Sequence, residues 1–420
     1  MKVAFYKIPE IRNKILFTLF IIFIFRILSH IPVPGVDVNS IRAFIANNQL
    51  LGLFDLFSGG GLKNFSIVTL GLAPFINASI IVQLFTTIIP SLEDLSREGE
   101  YGREKINQYT KFLTFPISIA QSFGFYSLLQ TQGVLPKLNS LDMITVVASM
   151  VAGTYILLWF GDLVTEKGLG NGISLLIFVG IVAALPETFY RFIYLLTPET
   201  FISALLFGAV GLGIVASVVM VNEGVKNIPL EYGRRANNTS SRVTSSLPLK
   251  VNQVGVIPVI FAASLVLIPS FLGSYLISSG NNFVRDFGYL LNANFQQNSF
   301  FYNLTMFLLV LLFTYFYTSL QFNPEKISED VKKRGGFIPG IRPGQNTSTY
   351  LKSVINKITL GGGIFLGLIS VFPYFIHTFI GFSTFALGGT SVLIVVSVIL
   401  DTLRKMDSMV VTRKYDSFLD

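Results

Sequence analysis

The sequence predicts an all-α polytopic membrane protein with ten transmembrane helices in two inverted five-helix halves. Three observations carry that prediction. First, the 420 residues are 51% hydrophobic and 13% charged, with a mean hydropathy of +0.64. An average soluble domain has about 25% charged residues. A soluble fold with half that share would expose apolar patches large enough to aggregate, and disorder needs the opposite composition. Second, apolar stretches of about 20 residues, the length that crosses a hydrocarbon core, recur along the chain. Third, the basic residues concentrate on one side of the topology those stretches define.

Ten stretches qualify: 15–30, 66–89, 110–130, 141–160, 172–189, 200–221, 254–277, 300–321, 354–376 and 385–403. The first follows Lys2, Lys7, Arg12 and Lys14, as a secretory signal would. However, His30-Ile31-Pro32-Val33-Pro34-Gly35 comes next instead of a small-x-small cleavage site, so the stretch reads as a retained span. Ten spans put both termini on one side. Of 31 Lys and Arg, 25 lie on that side, 5 on the other, and Arg26 lies within the first span. The positive-inside rule makes the richer side cytoplasmic. The acids divide 17 to 6, so the net charge of +8 sits on the cytoplasmic face and the rest of the chain is neutral.

The second and seventh spans open alike, with Gly71-Leu72-Ala73-Pro74-Phe75-Ile76 and Gly255-Val256-Ile257-Pro258-Val259-Ile260. Five spans separate them, and an odd number inverts the second copy. The fifth and tenth spans also start alike, with Gly170-Asn171-Gly172-Ile173-Ser174 and Gly388-Gly389-Thr390-Ser391-Val392. Inverted repeats are a transporter and channel architecture with the functional path at the repeat interface. Pro74 and Pro258 each remove an amide donor and favour a break there. Leu72 and Ile76, like Ile173 and Ile177, are four residues apart and share a helix face. With Ile260 and Ile394 they form an apolar collar if the repeat faces meet.

Several function classes are disfavoured. The chain has no cysteine, and its two histidines, His30 and His377, lie near span ends, so no metal site and no cofactor are expected. No Walker loop occurs, and the glycines at 168, 170 and 172 form no dinucleotide fingerprint. Gly161-Asp162 hints at a membrane aspartyl protease, but that chemistry needs two carboxylates in one site. No acid sits in the middle of a span, which argues against an ion-coupled small-solute transporter, the competing reading for an inverted repeat.

Segment 50–64 is apolar but too short to span. A helix there puts Leu50, Phe54 and Phe57 on one face, with Asp55 and Ser58 off it, and Gly59-Gly60-Gly61 follows as a flexible tether. It reads either as a re-entrant cap or as an interfacial helix on the outer surface. Two cytoplasmic connections, 222–253 and 322–353, are long enough to need a function. They carry Lys226, Arg234, Arg235, Arg242 and Lys250 in the first, and Lys326, Lys332, Lys333, Arg334, Arg342 and Lys352 in the second. An anionic partner such as ribosomal RNA suits them.

The run from Thr69 to Leu84, TLGLAPFINASIIVQL, resembles the second-span signature of the SecY family, the channel subunits of the general protein translocase. Trp159 to Ser174, WFGDLVTEKGLGNGIS, resembles that family's fourth-to-fifth-span signature. Leu247-Pro248-Leu249-Lys250-Val251-Asn252, Phe337 to Gly344 and Gly388-Gly389-Thr390-Ser391 match further family stretches.

The resemblance implies two halves, residues 1–193 and 194–403, around a central pore, then a cytoplasmic tail over 404–420. It implies a pore ring of Leu72, Ile76, Ile173, Ile177, Ile260 and Ile394, with Leu72 standing where isoleucine is usual. It makes 50–64 the re-entrant plug, with Leu53, Phe54, Phe57, Gly59, Gly60 and Gly61. It sets a lateral gate between spans two and three and spans seven and eight, faced by Gln83, and by Asn77 where a smaller hydroxyl residue is common. The same resemblance makes the motor and ribosome dock on Arg234, Arg235, Arg242, Lys250 and Arg342. The implied partners are the small SecE and SecG membrane subunits, the SecA motor ATPase and translating ribosomes. The implied substrates are secretory and membrane polypeptides, passed across or into the lipid bilayer of the plasma (inner) membrane by a chain that is not itself an enzyme.

Overall fold

The computed structural model describes residues 8–34, 36, 38–46, 55, 58–136, 138–194, 197–198, 201–232, 243–277, 281–380 and 389–416. Among the described residues, helices stand at all ten expected span positions, in the expected order. They are α1 (Pro9–Leu28), α3 (Ala73–Ile88), α5 (Glu100–Thr131), α6 (Ser140–Lys167), α7 (Gly172–Tyr194), α8 (Phe201–Glu223), the pair α9 (Ile257–Val266) and α10 (Ile268–Leu276), α12 (Phe300–Gln321), α14 (Gln345–Ile380) and α15 (Gly389–Asp416). Short helices α2 (Val38–Ala46), α4 (Pro90–Arg97), α11 (Asn282–Asn294) and α13 (Pro324–Lys333) join them. Among the described residues, seven helices are each long and apolar enough to cross a bilayer, and α3 meets the same measure only together with α4, from which it is bent by 106°. The remaining two are the first and last spans, whose apolar stretches are shortened by Arg12, Lys14 and Arg26 and by Asp401, Arg404 and Lys405.

The packing repeats between halves. Span one packs on four, two on three and four, three on four, and four on five. Each pair recurs five spans later: six on nine, seven on eight and nine, eight on nine, and nine on ten. The halves meet through spans two and seven and through spans five and ten. Buried side chains from both halves form one apolar core, including Ile21, Ile76, Leu157, Ile177, Val218, Ile260, Val310, Leu366 and Ile394.

Three expectations need correction. The second span was expected from residue 66, but helix begins only at Ala73, because Pro74 in the first turn suits a helix start and Gly59–Leu72 is a series of turns. The seventh span is broken at Leu267, where Pro269 lacks the amide that would bond back to residue 265. The two long connections are not loops. Strands β1 (Val225–Tyr232) and β2 (Val243–Lys250) pair antiparallel from Val225↔Lys250 to Tyr232↔Val243. β3 (Gly336–Phe337), from the second connection, joins the other edge of β1. Ile228, Leu230 and Leu249 bury against Ile338, Leu351 and Ile355, a small apolar core that explains why both connections fold. The membrane side carrying this sheet is the sheet side below, and the opposite side is the far side.

Candidate functional site

The two repeat openings share backbone geometry as well as sequence. Gly71 and Gly255 both take left-handed φ, +57° and +69°, where a Cβ would be strained. The next residues, Leu72 and Val256, have φ, ψ of −97°, 2° and −95°, −6°. The amides of Ile76 and Ile260 then donate to the carbonyls of Leu72 and Val256 at 3.0 and 3.1 Å, starting each helix. Ile76 and Ile260 are therefore equivalent by fold.

The fifth and tenth spans begin at glycines held against the preceding span. A Cβ on Gly172 would lie 1.9 Å from the Gly161 carbonyl oxygen, and one on Gly389 would lie 1.8 Å from that of Ile369. Counting from these glycines makes Ile177 and Ile394 equivalent, one residue out of the register the sequence match suggests. The Asn171 side chain caps the fifth span by accepting from the Ser174 amide at 3.2 Å. Thr165 Oγ1 accepts from the Gly172 amide at 2.9 Å.

These two devices set the expected ring residues in or against one core. Leu72, Ile76, Ile177, Ile260 and Ile394 are all buried in the core shared by the halves. Ile173 packs half-buried at its edge, with Cγ1 facing Gly161. Val256, the fold equivalent of Leu72, lies in the same core. Sequence reasoning passed over it, although the Gly71 and Gly255 alignment points to it.

Of the expected plug, Leu53, Phe54 and Phe57 lie outside the described residues. Gly59, Gly60 and Gly61 are described, and they are pinned rather than loose. Arg26 of span one donates Nη1–H to the Gly59 carbonyl at 2.7 Å. A Cβ on Gly59 would meet the Phe25 ring at 2.6 Å and Gly180 Cα of span five at 3.4 Å. Asp55 and Ser58, expected off the buried face, are 5% and 2% exposed. They tolerate burial because they are satisfied. Asp55 Oδ1 accepts from the Lys63 amide at 2.9 Å, and Ser58 Oγ accepts from the Leu62 amide at 3.1 Å. Lys63 Nζ lies 3.4 Å from Glu187 of span five.

At the expected gate, the Tyr317 hydroxyl of span eight donates to Gln83 Oε1 of span two. Gln83 Nε2 in turn donates to Ser79 Oγ at 2.9 Å. The Tyr317 ring packs against Phe261 of span seven at 5.2 Å and 66°, and Phe261 meets Phe313 edge-on at 6.0 Å. Tyr317 was not foreseen, since nothing in the sequence ties it to Gln83. Asn77 Oδ1 is buried and accepts no hydrogen bond among the described residues.

On the sheet side, Arg234, Arg235 and Arg242 lie outside the described residues. Lys250 is exposed at the end of β2. Arg342 is exposed on a turn that is tied down on both sides, with Ser328 Oγ donating to the Gly344 carbonyl at 2.6 Å and Thr347 Oγ1 to the Arg342 carbonyl at 3.0 Å. A buried polar chain, also unforeseen, links spans six, seven and ten. Asn222 Nδ2 donates to Ser397 Oγ at 2.9 Å, Asn252 Nδ2 to Asn222 Oδ1 at 2.7 Å, and the Gly255 amide to Asn252 Oδ1 at 3.0 Å. Asp162 is ion-paired with Lys111 Nζ at 2.6 Å.

The SecY family model matches residues 66–403. SecY protein translocase subunits of Streptomyces galbus and Aquifex aeolicus are each 39% identical to the chain, covering 99% of it and 98% of themselves. The subunit of Thermotoga maritima is 40% identical over 99% of the chain and 96% of its own length. Among solved structures, a protein-conducting channel has a TM-score of 0.62 at 21% identity. A SecY channel studied for its plug domain has 0.65 at 20%. Sec61 in a canine ribosome–channel complex has 0.59 at 21%. Each of the three covers 96% of this chain and 95% of itself. The structures share its fold, and the sequence relatives decide the family: the chain belongs to the SecY family of protein translocase subunits.

Proposed function

We propose that the chain is the central subunit of a protein-conducting channel in the plasma membrane. It passes unfolded secretory polypeptides across and releases signal sequences and membrane segments sideways into lipid. The observation that carries this reading is the single apolar core closing the seam between two inverted halves. Leu72, Ile76, Ile173, Ile177, Ile260 and Ile394 act as the pore ring. Their side chains hold no hydrogen-bonding group, so they press around any sequence in transit, and without substrate they leave a dewetted constriction that blocks ions. The 50–64 segment acts as the plug beneath Arg26. The gate runs along Gln83, Tyr317 and Phe261, with Asn77 beside it.

The sheet side is assigned to the cytoplasm with both termini, on the strength of the 25 to 5 division of basic residues. There Lys250, Arg342 and the Arg234, Arg235 and Arg242 group would meet the SecA motor or ribosomal RNA, while SecE and SecG would cover span faces. The chain is read as a conduit and not an enzyme, with work supplied by its partners. Family membership favours this reading over a small-solute transporter.

The test is photo-crosslinking of a stalled secretory chain in vesicles. Probes at Ile76, Ile260 and Ile394 should label it, and a probe at the exposed Leu308 should not. Labelling at Leu308 with none at the three isoleucines would overturn the proposal.

A further inference from the structure

Helix α11 has no role in the conduit as described. It follows the seventh span on the far side and folds back onto α10. Contact is made at two glycines. A Cβ on Gly288 would lie 2.8 Å from the Ile277 amide nitrogen and 2.9 Å from the Gly273 carbonyl oxygen. A Cβ on Gly273 would lie 3.0 Å from the Asn292 amide nitrogen. Asn292 Nδ2 also donates to Ser274 Oγ at 3.2 Å. The Asn281 side chain caps the start of α11 by accepting from the Phe283 amide at 3.1 Å. The helix is thus well formed and held, backbone to backbone, against the last turns of the seventh span.

That placement fixes its depth. α9 and α10 together run over Ile257–Leu276, which at about 1.5 Å per residue is the thickness of a hydrocarbon core. A helix packed on the final turns of α10 shares the depth of the far leaflet's boundary. Its sequence suits that position. Opposite Gly288, the positions 283, 287 and 290 share one face at helical spacing. Phe283, Phe287 and Leu290 there are 81%, 50% and 58% exposed. The two helices it touches also expose apolar side chains, Leu272 and Tyr275 on α10 and Phe301, Leu304, Leu308 and Leu312 along the eighth span. Arg285 lies on the other side of the helix wheel and is exposed.

We propose that α11 is a lipid anchor. Its Phe283, Phe287 and Leu290 face is buried in the headgroup–acyl boundary of the far leaflet, and through the Gly273–Gly288 contact it holds α10 at a fixed depth. The occupant is lipid because the helix sits at the depth of the far leaflet's boundary against two membrane-spanning helices that expose apolar side chains of their own, and because amphipathic helices with Phe and Leu on one face favour that boundary. The seventh span is therefore anchored on one side of its break at Leu267 and free of that anchor on the other.

The chain has no cysteine, so single-cysteine spin labels carry no background. Phe283→Cys, Phe287→Cys, Leu290→Cys and Arg285→Cys chains would be labelled and reconstituted in vesicles. Labels at 283, 287 and 290 should collide several-fold more with oxygen than with a water-soluble nickel chelate, and the label at 285 should show the reverse. Preference for the nickel chelate at all three positions would mean that water covers the face and would overturn the proposal. Exclusion of both agents would mean that protein covers it, which would overturn the proposal equally. The three positions report separately, so loss of folding in one variant leaves the other two to decide.

Discussion

The openings of the second and seventh spans have the same backbone and different surroundings. Before Gly71 the chain is a tight series of turns on the far side, tied to span one through Arg26 and to span five through Lys63 and Glu187. Before Gly255 it is a β-hairpin on the sheet side, followed by the Asn252 and Asn222 hydrogen bonds. The connections after these spans differ as well. α4 is polar, whereas α11 exposes phenylalanines. The repeat duplicated the device that aims Ile76 and Ile260 inward and left each flank to specialise. One half carries a buried series of turns and the other a small sheet.

The glycine contacts provide the hardest test of that equivalence. Gly172→Val and Gly389→Val should each cost about 3 kcal/mol or more, since backbone blocks the new side chain in both cases. Thermal unfolding in detergent would measure it, and tolerance at one site only would break the symmetry. Next in size is the tie between Arg26 and the Gly59 carbonyl. Arg26→Gln should weaken a charge-assisted bond to the Gly59 carbonyl, by about 2 kcal/mol. The expected result is a higher resting ion conductance in planar bilayers, and unchanged conductance would mean that other contacts hold the seal.

Tyr317→Phe removes one neutral hydrogen bond across the seam, about 1 kcal/mol, or a fivefold shift toward separated halves. Spin-label distances between spans two and eight would report it. The smallest effect on the fold belongs to Arg342→Glu, whose side chain is exposed. Stability should change by less than about 0.5 kcal/mol, while motor-driven export falls. Normal export in that variant would sharpen attention on Lys250 instead.

The spans and the inversion were legible in the sequence because each rests on local pattern, namely apolar length, charge side and the Gly-x-x-Pro spacing; the six collar residues were legible only as apolar positions near the repeat openings, and five of them are buried in the core between the halves. The sheet was not. Its strands read as polar connection, and the reason they fold, burial of Ile228 and Leu249 against Leu351 and Ile355, joins segments about a hundred residues apart. Burial of Asp55 and Ser58 was missed because helix-face counting sees only the helix itself, whereas their hydrogen-bond partners are the Lys63 and Leu62 amides of the turns that follow. Tyr317 and Asn222 were missed because hydrogen bonds between distant spans leave no spacing to read. Val256 could have been found, since it sits one residue after Gly255 just as Leu72 follows Gly71.

The three-stranded sheet has a mechanical consequence. β1 and β2 lie between spans six and seven, while β3 comes from the connection between spans eight and nine and pairs with β1 at Glu231↔Phe337. The sheet-side ends of spans seven and eight are thereby splinted to each other. A force on the Arg342 turn would therefore reach both together. On the side facing span two, the same pair of spans is tied across by the hydrogen bond from Tyr317 to Gln83.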